Sequence, residues 1–263
     1  MMDERRWALI LGVSSGFGAA TARRLADDGW DIIGLHLDRR PTLPIVDELA
    51  KELQSKGREV LFFNGNAADD VHRTETIATM AEKLTPLGGK INFMLHSLAF
   101  GTLANLVPIG DDTPVSRKQL EMTMDVMANS LVYWTQDVLA AGLFGPGRIF
   151  AMTSEGSETA WPMYGPVAAA KAAMESYVRQ LGKEMARHHI TVNAIMAGVT
   201  DTPALQKIPG SEHLMAKAKK NNPYQRITRP DDVAQALVEL ARPGTHWINS
   251  NVIRIDGGES SSA

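Results

Sequence analysis

The sequence contains no cysteine, little net charge and no long hydrophobic run. Without cysteine the chain cannot form disulfides, bind a metal through thiolates or use a cysteine nucleophile. Lys and Arg total 27 against 30 Asp and Glu, a formal charge of −3, which argues against nucleic acid or an anionic membrane as partner. No apolar run approaches the ~18 residues of a membrane span. No metal site is expected, because His and carboxylates do not recur at ligand spacing.

The composition that is present is typical of an ordinary folded domain. The 263 residues are 44% apolar and 22% charged, which excludes the disordered and fibrous classes. Four of the first six residues are charged, and they precede only a short apolar run, so no signal peptide is expected. We expect a single domain over residues 1–263 and a cytoplasmic location.

Short apolar runs alternate with helical patterns along the whole chain. Most runs lack polar alternation, which indicates strands buried on both faces. This order predicts an α/β fold, a doubly wound parallel sheet of the Rossmann type with right-handed crossovers. The predicted strands are residues 8–12, 31–37, 59–63, 91–95, 148–152, 191–196 and 251–255, and the predicted helices are 16–28, 44–56, 69–84, 114–142, 164–188 and 230–241.

Residues 202–227 break this alternation. The segment contains three prolines and a glycine, and it carries a basic run at Lys217, Lys219 and Lys220. A long insertion in a compact domain is usually a lid or a mobile functional loop, so we predict that it binds substrate. The lysines would attract an acidic carrier protein or simply form a solvated helix face.

A glycine-rich turn follows the first predicted strand. Residues 12–18 read Gly-Val-Ser-Ser-Gly-Phe-Gly and lead into a helix. Glycines let the backbone turn tightly and let a pyrophosphate approach the positive end of that helix. A purely structural turn is the alternative, but the position on the first strand favours a nucleotide. The predicted cofactor contacts here are Gly12, Ser14, Ser15, Gly16, Phe17 and Gly18.

The second predicted strand ends in Asp38, Arg39 and Arg40. A carboxylate at this edge would hold the 2′-hydroxyl of NAD, whereas an arginine would accommodate the 2′-phosphate of NADP. His36 lies about where the discriminating carboxylate is usually found, and both arginines can form charge-assisted bonds to phosphate. We predict NADPH as the cofactor, with NADH as the alternative. Asp38 and Arg39 could instead form a solvated loop pair.

An ordered set of motifs continues to the end of the chain. Tyr164 and Lys171 follow the strand that ends near Ser154, and then come residues 192–198 (Val-Asn-Ala-Ile-Met-Ala-Gly) and 256–258 (Asp-Gly-Gly). Together with the glycine turn, this set resembles the short-chain dehydrogenase/reductase superfamily over nearly the whole chain. The resemblance implies an oxidoreductase that uses a nicotinamide dinucleotide.

The spacing of the tyrosine and the lysine indicates a branch of that superfamily. Most members place the tyrosine four residues before the lysine, but Val167 is there, and Tyr164 lies seven residues before Lys171. This spacing, with residues 96–100 (His-Ser-Leu-Ala-Phe), resembles the enoyl-acyl-carrier-protein reductases. Their commonest members have a longer glycine turn and a tyrosine where this chain has Ser154. The chain is therefore similar to a glycine-turn, NADPH-type subgroup.

The resemblance implies catalytic roles for three residues. Reduction of an enoyl thioester leaves negative charge on the thioester oxygen, and that charge needs a hydrogen-bond donor. Tyr164 would be the donor, and Lys171 would bind the nicotinamide ribose and supply a positive charge. An alanine-rich surround indicates that Lys171 is packed rather than solvated. Ser154 would either donate to the substrate carbonyl or cap the following turn.

Further contacts are expected on the same resemblance. Asn66 and Ala67 resemble a pair that contacts adenine, and Ser97 is expected at the cofactor. Thr202 resembles a hydroxyl that meets the nicotinamide or its phosphate, and it could also be a helix N-cap before Pro203. Adaptable apolar side chains suit a flexible acyl chain, although each could be ordinary packing. The predicted substrate walls are Phe100, Trp161, Met163, Tyr164, Leu205 and Met215.

These observations predict an enoyl-thioester reductase of fatty-acid synthesis that acts on a carrier-protein or coenzyme A thioester. The first alternative is a reductase of 3-oxoacyl thioesters or other carbonyls, which the glycine turn and Ser154 favour and Val167 disfavours. The second is a non-catalytic dinucleotide sensor, because Met127 falls near an asparagine of the ketone-reducing members. A homotetramer is expected by resemblance.

Overall fold

Seven parallel strands form one sheet in the computed structural model, which describes residues 5–262. The strands are β1 (Arg6–Leu11), β2 (Asp31–His36), β3 (Val60–Asn64), β4 (Lys90–His96), β5 (Phe144–Thr153), β6 (Ile190–Ala197) and β7 (Val252–Ile255). Their order across the sheet is β3-β2-β1-β4-β5-β6-β7, and every neighbouring pair is parallel. This order confirms the predicted doubly wound fold. The strand order reverses between β1 and β4, and a crevice forms there at the carboxyl ends of the strands.

Helices cover both faces of the sheet because the central strands are apolar on both sides. Along β1, Trp7, Leu9 and Leu11 enter one core cluster, while Ala8 and Ile10 enter the other, as the two-residue period of a strand requires. The helices are α1 (Gly16–Asp27), α2 (Leu43–Ser55), α3 (Asp70–Leu84), α4 (Arg117–Met124), α5 (Ser130–Ala140), α6 (Gly165–Met185), α7 (Ser211–Asn221) and α8 (Pro230–Leu240).

The helix predicted over residues 114–142 differs from the prediction at its start and in its middle. It begins at α4, because Ser116 and Gln119 form a reciprocal capping box just before and within its first turn. A π-helical turn over Asp125–Asn129 then separates α4 from α5. The Asn129 amide donates to Asp125 at 2.7 Å and accepts from the Tyr177 hydroxyl at 2.9 Å. Those two bonds stabilise a turn that apolar periodicity does not encode.

The segment 202–227 contains regular structure of its own. A 3-10 turn covers Leu205–Lys207, and α7 follows it. Asn222, at the end of α7, is buried and donates to the carbonyl of Asp256 at 2.8 Å. The segment is therefore partly helical, and the Asn222 hydrogen bond anchors its C-terminal end. Among residues 5–262, none of the helices has the length and apolar character to cross a membrane.

Candidate active site

The glycine turn packs tightly against the chain that leaves β4. Gly12 has a φ of +91°, and its amide donates to the Leu35 carbonyl at 2.8 Å. A side chain at Gly12 would overlap the Ser97 carbonyl oxygen, and one at Gly18 would overlap the Gly12 carbonyl oxygen. The turn therefore presents bare backbone at the start of α1. This cradle fits the diphosphate of a dinucleotide.

Thr202 lies on the other side of this cradle. The carbon that an alanine would add at Gly16 lies 3.4 Å from the Thr202 Cγ2. The Thr202 hydroxyl accepts from the Leu205 amide at 3.2 Å and so caps the 3-10 turn. The fold thus brings together two predicted cofactor residues that are 186 positions apart in the chain (202 − 16). Beside them, Ser15 is exposed, while Ser14 and Phe17 are half-buried.

The edge at the end of β2 holds Asp38 in a polar network. Its carboxylate lies 3.1 Å from His36 Nδ1, and its backbone amide donates to Asn64 at 3.0 Å. Burial alone would raise the pKa of Asp38, but hydrogen bonding by Thr42 and Ser14 and the nearby His36 hold it below its ordinary value. Burial lowers the pKa of His36 despite Asp38. The following arginines, Arg39 and Arg40, are both exposed.

Two further residues predicted to contact the cofactor follow β3. Asn66 is exposed, and its side-chain oxygen accepts from the Ala68 amide at 3.1 Å. Ala67 is buried, and its carbonyl accepts from the Trp134 indole at 2.9 Å. Asn66 is therefore at the surface, and Ala67 contributes to the core beneath it.

Tyr164 and Ser154 meet at the carboxyl end of β5. Tyr164 is the residue before α6, and its hydroxyl lies 3.3 Å from the Ser154 Oγ. The same Oγ accepts from the Gly156 amide at 3.2 Å, so Ser154 caps the turn and also contacts the tyrosine. Met163 holds a left-handed φ of +61°, which is uncommon for a side chain of this size. That conformation turns the chain immediately before Tyr164.

Lys171 is buried two helical turns beyond Tyr164, on the same side of α6. Its ammonium donates to the Met152 carbonyl at 2.7 Å and to the Leu98 carbonyl at 3.3 Å. Burial lowers the pKa of Lys171 to about 8, and Glu175 opposes that shift. An ammonium has three donors, so one remains for a ribose hydroxyl. Lys171 is packed, as its alanine-rich surround predicts.

Burial also fixes the protonation of two neighbours. It raises the pKa of Tyr164, with partial relief from the Ser154 hydrogen bond, so the phenol keeps its proton at neutral pH. His96 is fully buried at the end of β4, and burial together with the charge of Lys171 lowers its pKa to about 3. Its Nε2 lies 2.8 Å from the Ser130 hydroxyl. At neutral pH the site therefore contains a neutral phenol and a neutral imidazole.

The residues predicted to form the substrate walls differ in their exposure and position. Met163 accepts from the Ala104 amide at 2.8 Å, which joins the 97–116 loop to the tyrosine. Phe100 is 52% exposed, whereas Trp161 and Leu205 are half-buried. Met215, on α7, lines a separate cavity of about 370 Å³ with Lys219, Arg226 and Arg229.

Four residues of the site were not singled out by the sequence interpretation. Leu106 lies against Gly165 at the start of α6, and Gly156 contacts the ring of Tyr164. Glu175 is buried one turn after Lys171, a spacing that could have indicated it. His96 was noted only as part of a motif. Val167, at the spacing used by most of the superfamily, is buried in the core.

Comparison with known proteins finds relatives that match most or nearly all of the chain. A family model described as enoyl-(acyl carrier protein) reductase matches residues 12–260. The chain is 30% identical over 189 residues to the enoyl-[acyl-carrier-protein] reductase [NADH] FabI of Aquifex aeolicus, covering 72% of this chain and 69% of the relative. It is 25% identical over 260 residues to 1-cyclohexenylcarbonyl-CoA reductase of Streptomyces collinus, covering 98% and 88%.

The fold agrees with a solved structure of the same kind. The crystal structure of the Aquifex aeolicus enoyl-[acyl-carrier-protein] reductase (NADH) matches with a TM-score of 0.82 at 26% identity, over 98% of this chain and 97% of that one. The chain therefore belongs to the enoyl-(acyl carrier protein) reductase family of the short-chain dehydrogenase/reductase superfamily and is an oxidoreductase that uses a nicotinamide dinucleotide.

Proposed function

We propose that the protein reduces the carbon–carbon double bond of a trans-2-enoyl thioester with hydride from NADPH. The observation that carries this proposal is the position of Tyr164 at the entrance to α6. Its hydroxyl contacts Ser154, it lies seven residues before the buried Lys171, and Val167 fills the intervening position with an apolar side chain. This is the spacing of the enoyl-reducing branch, not that of the ketone reductases.

The residues of the site supply what such a reduction needs. The nicotinamide, when bound, supplies the hydride. Tyr164 keeps its proton and donates a hydrogen bond to the thioester oxygen, where negative charge develops. Lys171 holds a buried positive charge two helical turns beyond the tyrosine and has a donor left for the ribose. Neither role needs Tyr164 to ionise, which agrees with its raised pKa.

An acyl chain has an apolar surface to lie on beside this pair. Phe100, Leu106, Val107 and Ile109 are each more than half exposed on the loop that follows β4. Leu106 packs against Gly165, the residue after Tyr164, so at least one of these side chains lies beside the tyrosine. Contiguous exposed apolar side chains of this kind often mark ligand-binding surfaces.

The hydrogen bonding of Asp38 and the arginines that follow it favour NADPH over NADH. The Asp38 carboxylate already lies 3.1 Å from His36 Nδ1, so one of its acceptor positions is engaged within the chain before any ribose is bound. Arg39 and Arg40 are exposed directly after it and suit a 2′-phosphate. The Aquifex aeolicus relative is named as an NADH enzyme, so the choice of cofactor is tested separately below.

The thioester would arrive on a phosphate-bearing arm, either of a carrier protein or of coenzyme A. Lys219, Arg226 and Arg229 line the cavity beside α7, and Lys217 lies 5.8 Å from the ring centroid of Trp161. Basic side chains therefore lie both at this cavity and at the ring of Trp161, three residues before Tyr164. Positive charge at these positions would attract either arm.

Turnover of matched thioesters tests the proposal. Purified protein is mixed with NADPH and either a trans-2-enoyl thioester or the 3-oxoacyl thioester of equal length, and loss of nicotinamide absorbance is followed. We expect oxidation with the enoyl substrate alone. Oxidation with the 3-oxo substrate alone would contradict it. If neither substrate causes oxidation, and none occurs when NADH replaces NADPH, the protein either uses another acceptor or is a non-catalytic sensor.

The contact between Ser154 and Tyr164 supports a carbonyl reductase as the second candidate. A serine hydroxyl beside the tyrosine could donate to a ketone oxygen together with it. In the enzyme we propose, Ser154 acts mainly as the cap of the turn. Ser154→Ala should then reduce enoyl turnover only slightly, whereas a ketone reductase would lose most of its activity.

A further inference from the structure

Glu175 is a buried acid that the reaction described above does not use. It lies one turn after Lys171 on α6, and only 9% of its surface is exposed. Its Oε1 accepts hydrogen bonds from two hydroxyls, from Thr153 and, at 2.7 Å, from Ser157. Burying a carboxylate is costly unless it is paired and hydrogen-bonded. An acid at this position therefore indicates that its charge or its acceptors are needed.

The two donors lie on either side of Ser154. Thr153 is the last residue of β5, and Ser157 ends the 3-10 turn over Glu155–Ser157. One carboxylate oxygen thus ties both ends of the turn to α6. Ser154 is the N-cap of this turn and contacts the hydroxyl of Tyr164, which immediately precedes the same helix. The distance between these two hydroxyls depends on how the turn is held against α6.

Glu175 also acts on Lys171 through its charge. Burial lowers the pKa of Lys171, and the negative charge of Glu175 raises it in opposition. The other titratable group that interacts with the lysine is His96, from the end of β4, which is neutral at ordinary pH. Glu175 is therefore the one anion among these neighbours, within residues 5–262.

We propose that Glu175 is a positioning residue that holds the Ser154–Tyr164 pair and keeps Lys171 charged. This proposal rests on the proposed function in one respect: it takes enoyl-thioester reduction as the reaction that the Ser154–Tyr164 pair serves. Glu175 reaches the reacting atoms through other residues. Its two parts, the hydrogen bonds to the turn and the charge near the lysine, can be removed separately.

Glu175→Gln removes the charge while keeping an oxygen acceptor of the same reach. The titration of Lys171 is followed by NMR in protein labelled with ¹³C at the lysine side chains, and the resonance is assigned by its loss in Lys171→Arg. We expect a midpoint near 8 in the wild type and a midpoint lower by about half a pH unit or more in Glu175→Gln. The control, Glu184→Gln, changes an exposed acid of the same helix and should leave the midpoint in place.

The double variant Thr153→Val with Ser157→Ala removes both hydroxyl donors while keeping the charge. We expect kcat to fall about tenfold or more, because the released turn, whose Gly156 packs against the ring of Tyr164, would displace the tyrosine. The dissociation constant of NADPH and the Lys171 midpoint should stay at wild-type values. A residue that only stabilised the fold would not separate the two readouts in this way.

Either of two results overturns the proposal. One is an unmoved Lys171 midpoint in Glu175→Gln, and the other is a wild-type kcat in the double variant. The double variant keeps the test open if Glu175→Gln does not fold. The titration needs no acceptor, and kcat is measured with whichever thioester is turned over. Failure of the enoyl assay is therefore distinguishable from failure of the Glu175 proposal.

Discussion

Gly156 lies directly against the ring of Tyr164. A side-chain carbon at Gly156 would come within 2.8 Å of the tyrosine Cδ1, closer still to Cε1, and 3.4 Å from the Ser154 Oγ. The turn after β5 and the start of α6 are therefore in contact with no space for a methyl group between them. The absence of a side chain at Gly156 lets the tyrosine approach the serine.

Gly156→Ala should displace Tyr164 and lower kcat by up to about 100-fold, since a shift of about 1 Å can cost that much. The affinity for NADPH should change little, because the glycine turn and Thr202 are not involved. Steady-state kinetics and titration of NADPH fluorescence measure the two effects. Gly244→Ala is the matched control, because an added carbon at Gly244 meets no described atom within 4 Å apart from its chain neighbours. A wild-type kcat in Gly156→Ala would show that the site tolerates a shifted tyrosine.

Tyr164→Phe removes the hydroxyl and leaves the ring in place. We expect kcat to fall about 100- to 1,000-fold, which is typical of losing a hydrogen-bond donor to a developing oxyanion. The dissociation constant of NADPH should remain within about twofold, because Lys171 and the glycine turn are intact. Val167→Ala, a change in the same helix at the spacing used by ketone reductases, serves as the comparison. Equal kcat values in Tyr164→Phe and the wild type would remove the proposed role.

The fold could be predicted largely from the sequence. The spacing of apolar residues identifies the strands and helices, and their alternation along the chain determines a parallel sheet. The seven predicted strands are all present, and Lys171 is packed, as its alanine neighbours indicated. Thr202 accepts from the Leu205 amide and so caps a short 3-10 turn, not the helix expected to begin at Pro203. These features depend on residues that are close together in the chain.

The remaining features depend on contacts between distant residues. The bond from Thr153 to Glu175 spans 22 positions, and Leu106 meets Gly165 only because the loop after β4 folds over α6. The π-helical turn depends on a tyrosine from another helix, Tyr177. No single-segment pattern contains such pairs. The homotetramer and the acyl carrier stay predictions.

The loss of NADPH affinity at alkaline pH should follow the deprotonation of Lys171. Its pKa is about 8 in the free enzyme, so the ammonium is present below that pH and is lost as the pH rises through it. NADPH affinity should fall over the same range, since the neutral amine is a weaker donor to the ribose. His96, with a pKa of about 3, stays neutral throughout and adds no change near neutrality.

Fluorescence titrations of NADPH between about pH 6 and pH 9.5 bracket this loss of affinity. The loss should persist in Tyr164→Phe, because the pKa of the tyrosine is raised and the phenol does not titrate in that range. It should disappear in Lys171→Met, which has weak affinity at every pH. A flat profile in the wild type would mean that the ammonium does not contribute to cofactor binding.

The choice between NADPH and NADH is tested by removing the two arginines after β2. Arg39→Ala with Arg40→Ala should raise the dissociation constant of NADPH about 10- to 100-fold, the value of one or two charge-assisted hydrogen bonds, while that of NADH stays unchanged. Arg117→Ala with Lys118→Ala, which removes two exposed cations of α4, controls for the change in net charge. Asp38→Asn sharpens the test, because this carboxylate lies beside the glycine turn and bonds to His36. If the arginines left the ratio unchanged and Asp38→Asn weakened NADH instead, the carboxylate would be the group that reads the ribose, and NADH would be the cofactor.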